Sequence, residues 1–311
     1  AYSLVALTED TLMAARDPLG IRPLCIGKLD GGWIIASESC ALDHLGATYM
    51  RELEPGEVVI IDPQGFRSSV WSGSTGRRAL CVFELIYFAR PDSLLDNKLV
   101  HSVRQELGAQ LAREHPVEAD LVIGIPDSST AAAIGYARES GIPFSEGLVK
   151  NRYVGRTFIE PEQRMRDLGV RQKFNPLTEV IAGQRIVVVD DSIVRGTTTP
   201  HVVGLLRKAG AAEIHMRVCA PPIKHPCFMG VDMATRQELI AANQTVDEIR
   251  KFIDADTLGY LDVKGLMKVV GGTDGGYCDA CFTGNYPVPV QLELTKLVLE
   301  EPPAELELLS D

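Results

Sequence analysis

Between Val187 and Thr199 the chain reads VVVDDSIVRGTTT: a β-branched run, two adjacent carboxylates, a turn of small residues, then hydroxyls where a helix should begin. Ile186 to Val189 form a short apolar run flanked by polar residues, the pattern of a central parallel strand buried on both faces. Asp190 and Asp191 then sit at the C-terminal end of that strand, where open α/β sheets bind their ligands. The turn Ser192 to Thr198 leads into an apolar-periodic helix, Val202 to Ala209. Free backbone N–H groups at such a helix start can cradle a phosphate monoester, Gly196 allows close approach, and Ser192, Thr197 and Thr198 add hydroxyl donors. Two adjacent aspartates suit two vicinal sugar hydroxyls, directly or through a hydrated Mg²⁺. An Asp pair that merely caps a helix after a strand is the plainer reading of those two residues; the whole string points instead to a phosphate-and-ribose site.

The chain has 311 residues, 45% of them hydrophobic, enough for a large core and a length that suits two domains. No run approaches the roughly 18 apolar residues of a membrane-spanning helix, and no charged segment with an apolar follower opens the chain. The expectation is a soluble, cytoplasmic protein with no membrane partner. A net charge of -11 argues against nucleic acid, whose phosphates are bound by neutralising lysines and arginines. Basic residues cluster instead between Lys150 and Lys173, which suits a small polyanion drawn in by a local field.

Short alternating segments between Gly and Pro turns from Tyr2 to about Ile61, such as Trp33 to Ala36 and Val58 to Ile61, predict antiparallel β structure with one helix near Cys40 to Leu45. The polar stretch Ser72 to Arg78 marks the crossing into a second region, so the chain divides at 1–75 and 76–311. There helices and strands alternate: helix Val100 to Glu114, strand Leu121 to Gly124, helix Thr130 to Ser140, strand Ile186 to Val189, helix Thr199 to Ala209, strand Glu213 to Val218. Helices near Thr235 to Ala241 and Val246 to Ile253 follow. This is the βα alternation of a parallel sheet with helices on both faces. A second strand-to-loop junction, Gly124 to Ser129, should lie beside the first and offer Asp127, Ser128 and Ser129 to a diphosphate, or simply cap the helix that follows. Lys150 to Pro176 reads as a long loop, and loops of that length are functional lids or linkers.

These motifs resemble the phosphoribosyl diphosphate (PRPP) signature of the type I phosphoribosyltransferases. The runs ARDPLGIRPL (Ala15 to Leu24), IYFARPDS (Ile86 to Ser93), GIPDSSTAAAIGYA (Gly124 to Ala137), KNRYVGRTFIEP (Lys150 to Pro161) and YCDACFTGNYP (Tyr277 to Pro287) are similar to those of the glutamine PRPP amidotransferases, over essentially the whole chain. The resemblance implies a type I phosphoribosyltransferase sheet preceded by the C-terminal part of an N-terminal-nucleophile glutaminase sandwich. It implies displacement of diphosphate from PRPP by ammonia, drawn from glutamine in the complete enzyme, to give 5-phosphoribosylamine in purine synthesis. PRPP would be held by Asp127, Ser128, Ser129, Asp190, Asp191, Ser192, Ile193, Val194, Arg195, Gly196, Thr197 and Thr198. Mg²⁺ would be held by Ser128, Asp190 and Asp191, and Lys150, Arg152, Tyr153, Arg156 and Glu160 would belong to a loop that closes over PRPP. Purine nucleotide inhibition and a homo-oligomer are further implications. The family's glutaminase nucleophile is a chain-terminal cysteine, whereas this sequence begins Ala-Tyr-Ser; the expectation is a fragment or incomplete form whose own activity would depend on ammonia.

Seven cysteines in a chain without a secretion signal do not suggest a disulfide framework. Cys278-x-x-Cys281 has metal-type spacing, and zinc, redox and chance readings are all open for two thiols alone. By resemblance, Cys81 and Cys227 complete a four-cysteine set for a 4Fe-4S cluster, with structural zinc as the alternative. Cys25, Cys40 and Cys219 read as buried core thiols. Two other functions fit the PRPP string: a salvage phosphoribosyltransferase, which would need neither the β-rich start nor the cysteines, and a regulator that binds PRPP without turnover.

Overall fold

The computed structural model describes residues 1–72, 76–151, 153, 173–231, 235–272 and 275–290. Seven strands and a short helix precede Trp71: β1 (Ser3–Leu7), β2 (Leu12–Arg16), β3 (Cys25–Leu29), β4 (Gly32–Ala36), α1 (Ser39–His44), β5 (Thr48–Glu52), β6 (Glu57–Asp62) and β7 (Gly65–Val70). They form two antiparallel sheets, ordered β1-β2-β6-β7 and β4-β3-β5. Both contribute to one apolar layer of Ala14, Leu24, Ile26, Leu53 and Val59, with Trp33, Ile35 and Ile61 at its margin. The alternating segments and single helix expected here are present. The β structure runs past Ile61, because Asp62 to Gly65 close a hairpin whose second strand, β7, is exposed throughout. The opposite edge strand β1 also exposes Leu4, Val5 and Leu7.

The second region begins with β8 (Ala79–Cys81), a π-helical turn Glu84–Phe88, and a hairpin of β9 (Leu94–Leu95) and β10 (Lys98–Leu99). There follow α2 (Val100–Glu114), β11 (Leu121–Gly124), α3 (Thr130–Ser140), β12 (Leu148–Lys150), β13 (Phe174–Pro176), α4 (Thr178–Ile181), β14 (Arg185–Asp190), α5 (Thr199–Lys208) and β15 (Glu213–Val218). The described chain closes with α6 (Ile240–Asn243), α7 (Val246–Phe252), β16 (Thr257–Tyr260), α8 (Val263–Val270), β17 (Gly276–Cys278) and α9 (Ala280–Thr283). Strands β11-β14-β15-β16 make a wholly parallel sheet. Ile186, Val187, Val188 and Val189 have no exposed surface. Val187 and Val189 join the apolar cluster on one face, with α2 and α3; Ile186 and Val188 join that on the other, with α5 and α7. The two-sided burial read from the apolar run is therefore present.

The helices and strands expected in this region lie, with one exception, where periodicity places them, and short elements that were not expected stand between and around them. The segment near Thr235 to Ala241 is an exception: Thr235 and Glu238 close a capping box around a 3-10 turn, Arg236–Glu238, and Leu239 is extended, so the expected single helix is split. Strands β16 and β17 were not foreseen. The first is four residues with a glycine inside it, and the second pairs in parallel with distant β8, placing Cys278 opposite Cys81. The two regions are joined by backbone hydrogen bonds from Ala79 to Leu19 (2.8 Å) and from Cys81 to Ile21 (3.0 Å).

Helices α2 and α3 pack backbone to backbone. A Cβ on Gly108 would lie 1.8 Å from the Ala132 carbonyl oxygen, and one on Gly135 would lie 1.8 Å from that of Gln105. The contact fixes where α3 begins, and hence where Ser128 and Ser129 stand. Gly135→Ala should lower unfolding free energy by about 2 kcal/mol or more, since backbone cannot yield as a side-chain tip can. Urea denaturation checks this; an unchanged midpoint would contradict the packing described.

Candidate active site

Three junctions meet at the C-terminal edge of the parallel sheet. The end of β14 brings Asp190 and Asp191. The end of β11 brings Asp127 to Ser129, and register pairs Gly124 with Val189. The turn Ser192 to Thr198 leads into α5, which begins at Thr199 with Pro200 in its first turn. A proline there removes a donor that would have no helical partner, and its fixed φ suits a helix start. The remaining free N–H groups of such a helix start are of the kind that bind anions.

Hydroxyls grip both carboxylates. Ser128 Oγ donates to Asp191 Oδ2. Ser192 Oγ donates to Asp191 Oδ1 at 2.8 Å. The Asp191 N–H donates to Asp190 Oδ1 at 2.9 Å, and Ser129 Oγ reaches the same oxygen at 3.5 Å. Asp191 is buried at 9% exposure while Asp190 is half-buried at the strand end. Burial, and after it the charge of Asp191, raises the Asp190 carboxyl well above the ordinary carboxylate range; burial raises Asp191 too, against its hydroxyl donors, Arg104 and Lys173. Such a pair is electrostatically unsatisfied, the condition in which a divalent cation or a polyhydroxyl ligand is most strongly attracted.

The expected residues divide into groups. Ser128, Ser129, Asp190, Asp191 and Ser192 form the core of the site. Asp127 is exposed and pairs with Lys150 Nζ at 2.6 Å, which ties the end of β12 to the β11 junction. Ile193 is 2% exposed in the apolar core, so only its backbone faces the turn. The Val194 carbonyl accepts from the Ile240 N–H at 3.0 Å, tying the turn to α6. Arg195 points outward and pairs with Glu238 at 3.6 Å. Gly196 has φ +71°, and a Cβ there would meet Ile240 Cδ1 at 2.6 Å. Thr197 is exposed and Thr198 half-buried. Tyr153 is fully exposed; Arg152, Arg156 and Glu160 lie outside the described residues, as does most of the segment Lys150 to Pro176. Its two ends are not loop: β12 and β13 pair antiparallel, Lys150 opposite Phe174. The peptide bond between Pro126 and Asp127 is cis.

Two basic residues of the site were not singled out from sequence. Lys173, beside β13, is pulled below its ordinary value by burial and then by Lys150, while Asp190, Asp191 and Asp127 act the other way. Arg104 on α2 is 4% exposed and lies within reach of the Asp191 field. Its signal was available: Val100, Val103, Leu107 and Leu111 mark the buried face of α2, and Arg104 sits within that face.

The four cysteines of the proposed cluster come together elsewhere, lining one cavity with Phe83, Phe228, Met229 and Tyr286. Burial pushes the Cys81 thiol up to about 12 and Cys281 well above its ordinary value, the other three thiols adding to the latter. Cys25, Cys40 and Cys219 are buried, as expected. Among the described residues no group of three or more His, Cys, Asp or Glu side chains has the geometry of a site for a metal ion. Nor is any helix among them long and apolar enough to cross a membrane.

A parallel sheet carrying acids and a hydroxyl-rich helix start at its C-terminal edge is the framework of a phosphoribosyltransferase, and residues 91–227 match the phosphoribosyl transferase domain family. Curated amidophosphoribosyltransferases are similar over nearly the whole chain: that of Bacillus subtilis strain 168 is 52% identical over 294 residues, covering 93% of this chain and 62% of the relative. That of Mycobacterium bovis is 50% identical over 307 residues, covering 96% and 58%. The solved glutamine PRPP amidotransferase from B. subtilis, complexed with ADP and GMP, superposes with a TM-score of 0.87 at 51% identity, covering 95% of this chain and 66% of that one. The chain belongs to the amidophosphoribosyltransferase family. It spans about 60% of the length of these curated relatives.

The carboxylate pair has a consequence for stability. Its elevated folded-state values leave stability intact where both groups are protonated, below the ordinary aspartate value, and remove it as pH rises through those elevated values. Asp190→Asn should therefore melt above the parent at neutral pH, with the gap closing as pH falls below the ordinary aspartate range. Calorimetric scans in magnesium-free buffer check this; equal melting temperatures at neutral pH would contradict the strain assigned to the pair.

Proposed function

We propose that residues 76–311 carry the phosphoribosyl-transfer part of an amidophosphoribosyltransferase, and that residues 1–75 are part of its glutaminase sandwich. The reaction is displacement of diphosphate from C1 of PRPP by ammonia, which yields 5-phosphoribosylamine and begins purine synthesis; glutamine supplies the ammonia in the whole enzyme. The observation that carries this reading is the Asp190–Asp191 pair, gripped by Ser128, Ser129 and Ser192 beside a helix start.

The 5-phosphate takes the turn Ser192 to Thr198, where N–H groups and hydroxyls converge. Asp190 and Asp191 accept from the ribose hydroxyls, orienting C1 toward the β11 junction. The ammonia lone pair forms the C1–N bond as the C1–O bond to diphosphate breaks, with inversion, and the new ammonium group releases a proton to solvent. Lys150 and Lys173 stabilise the charge growing on the departing diphosphate. Mg²⁺, held by Asp190, Asp191 and Ser128, would add to that stabilisation. By the family resemblance, Lys150, Arg152, Tyr153, Arg156 and Glu160 serve PRPP and help to keep out water, which competes for the same carbon. Purine nucleotides are proposed as inhibitors, on the strength of the ADP and GMP in the B. subtilis relative.

Cys81, Cys227, Cys278 and Cys281 suit a 4Fe-4S cluster: they line one apolar cavity, and four thiolates are the usual complement of such a cluster. The void is small, about 20 Å³. Metal–thiolate bonds are much shorter than van der Waals contact, however, so a bonded group needs less empty space than an unbonded one. Such a cluster would pin β17 and α9 against β8.

Diphosphate release measured with PRPP, Mg²⁺ and ammonia tests the reading, with nucleobases as control acceptors. Turnover with ammonia alone is expected; turnover with a nucleobase, or PRPP binding without turnover, would replace the reading by salvage or by sensing. Asp190→Asn with Asp191→Asn should reduce turnover at least 100-fold in folded protein. Cys278→Ser should lose its iron and sulfide in anaerobic preparations, and full iron content would refute the ligand set.

A further inference from the structure

The turn Ser192 to Thr198 can bind an anion only if its N–H groups stay open toward it, so it cannot hold its own shape by using them internally. Among the described residues, one backbone–backbone hydrogen bond holds residues 192–197: the Ile240 N–H donates to the Val194 carbonyl at 3.0 Å. Ile240 is the first residue of α6, and the first N–H of a helix has no partner within that helix, which leaves it free for this use. The Ile240 side chain, 7% exposed, packs against Gly196 on the side where a Cβ would point. That Cβ would meet Ile240 Cδ1 at 2.6 Å and Cγ1 at 3.7 Å, with the Phe252 ring at 3.4 Å.

The segment that supplies Ile240 is itself braced. Thr235 and Glu238 close their capping box, and Glu238 also pairs with Arg195 of the turn at 3.6 Å. Asn243 Nδ2 donates to the carbonyls of Arg236, Gln237 and Leu239 at 3.3, 3.0 and 3.0 Å. Leu239 belongs to the apolar cluster on one face of the parallel sheet and Ile240 to that on the other, so adjacent residues are anchored on opposite faces. All of them lie beyond residues 91–227, the match to the phosphoribosyl transferase domain family, so the turn is supported by chain from outside that match.

We propose that Ile240 is a positioning residue for the phosphate-binding turn. Its N–H fixes the Val194 carbonyl, its side chain supports Gly196, and the remaining N–H groups of the turn are thereby held in the arrangement that takes the 5-phosphate. This rests on the function proposed above. A turn held by one backbone bond has other shapes open to it once its support is cut back. PRPP must then select the competent shape, and its apparent Kd rises as the competent fraction falls. Ordinary core packing at Ile240 would lower stability and leave that fraction alone.

The 311-residue protein and its Ile240→Ala, Ile240→Val and Ile214→Val variants should be titrated calorimetrically with PRPP in excess Mg²⁺ and assayed for ammonia-dependent diphosphate release, each checked for a cooperative melt. Ile214 is the control: it is fully buried in the same cluster as Ile240, and it pairs with Ile186, at the far end of β14 from Asp190. Ile240→Ala is expected to weaken PRPP binding about threefold to tenfold, which corresponds to a competent fraction of roughly 0.1–0.3. Its KM for PRPP should rise by the same factor with kcat within about twofold, since the turn holds a part of the sugar that does not react. Ile240→Val removes Cδ1 alone and keeps the measurement open should the alanine variant not fold; it should weaken binding about twofold to threefold. Ile214→Val should bind PRPP as the unsubstituted protein does. Unchanged binding in the Ile240 variants, a loss in Ile214→Val equal to that in Ile240→Val, or a fall in kcat without a rise in KM would overturn the proposal. No binding or no turnover by the unsubstituted protein would instead overturn the function proposed above.

Discussion

Full burial of β14 on both faces is the constraint from which the site follows. Ile186 and Val188 belong to one apolar cluster and Val187 and Val189 to the other, so the strand cannot slip by one residue without exchanging its two sets of neighbours. Each such side chain contributes on the order of 1.5–3 kcal/mol by leaving water. That stabilisation offsets two carboxylates brought side by side at the strand's end. The acids cannot retreat, because retreat would pull valines out of the core.

Around this fixed point the charges are arranged by different elements. α3 brings Ser128 and Ser129, and its position is set by the glycine contact with α2. The paired strands β12 and β13 bring Lys150 and Lys173. α2 brings Arg104. None of these is a sequence neighbour of Asp190, and each depends on a tertiary contact for its place. The site is thus a meeting of independently anchored pieces, which makes its geometry a property of the whole fold.

The strands and helices that carry the site were legible because their periodicity is strong: α2, β11, α3 and β15 have the bounds that the sequence analysis assigned. The Asp pair and its serines were legible because the run of acids and hydroxyls at this strand-to-helix turn is longer than capping one helix requires. β16 escaped because a four-residue strand containing Gly259 lacks a periodic signal. β17 escaped because its partner is remote, and no local pattern announces a parallel pairing with β8. Arg104 escaped for a different reason: one charge within an apolar helix face reads as noise until its acceptors, the Leu85 and Ala89 carbonyls, are seen. Ile193 and Arg195 fell inside a motif taken as a unit, yet one is core and the other surface; a motif marks a backbone path, and its side chains need not share one task.

The pairing of β17 with β8 joins segments separated by most of the described chain. Closing so long a span is entropically slow, and it waits until everything between has been made. During synthesis Cys81 emerges from the ribosome well before Cys278 and Cys281 exist to join it. The half-made protein must therefore carry an orphan thiol through the cell, so its yield should depend on how reducing the surroundings are while translation is under way.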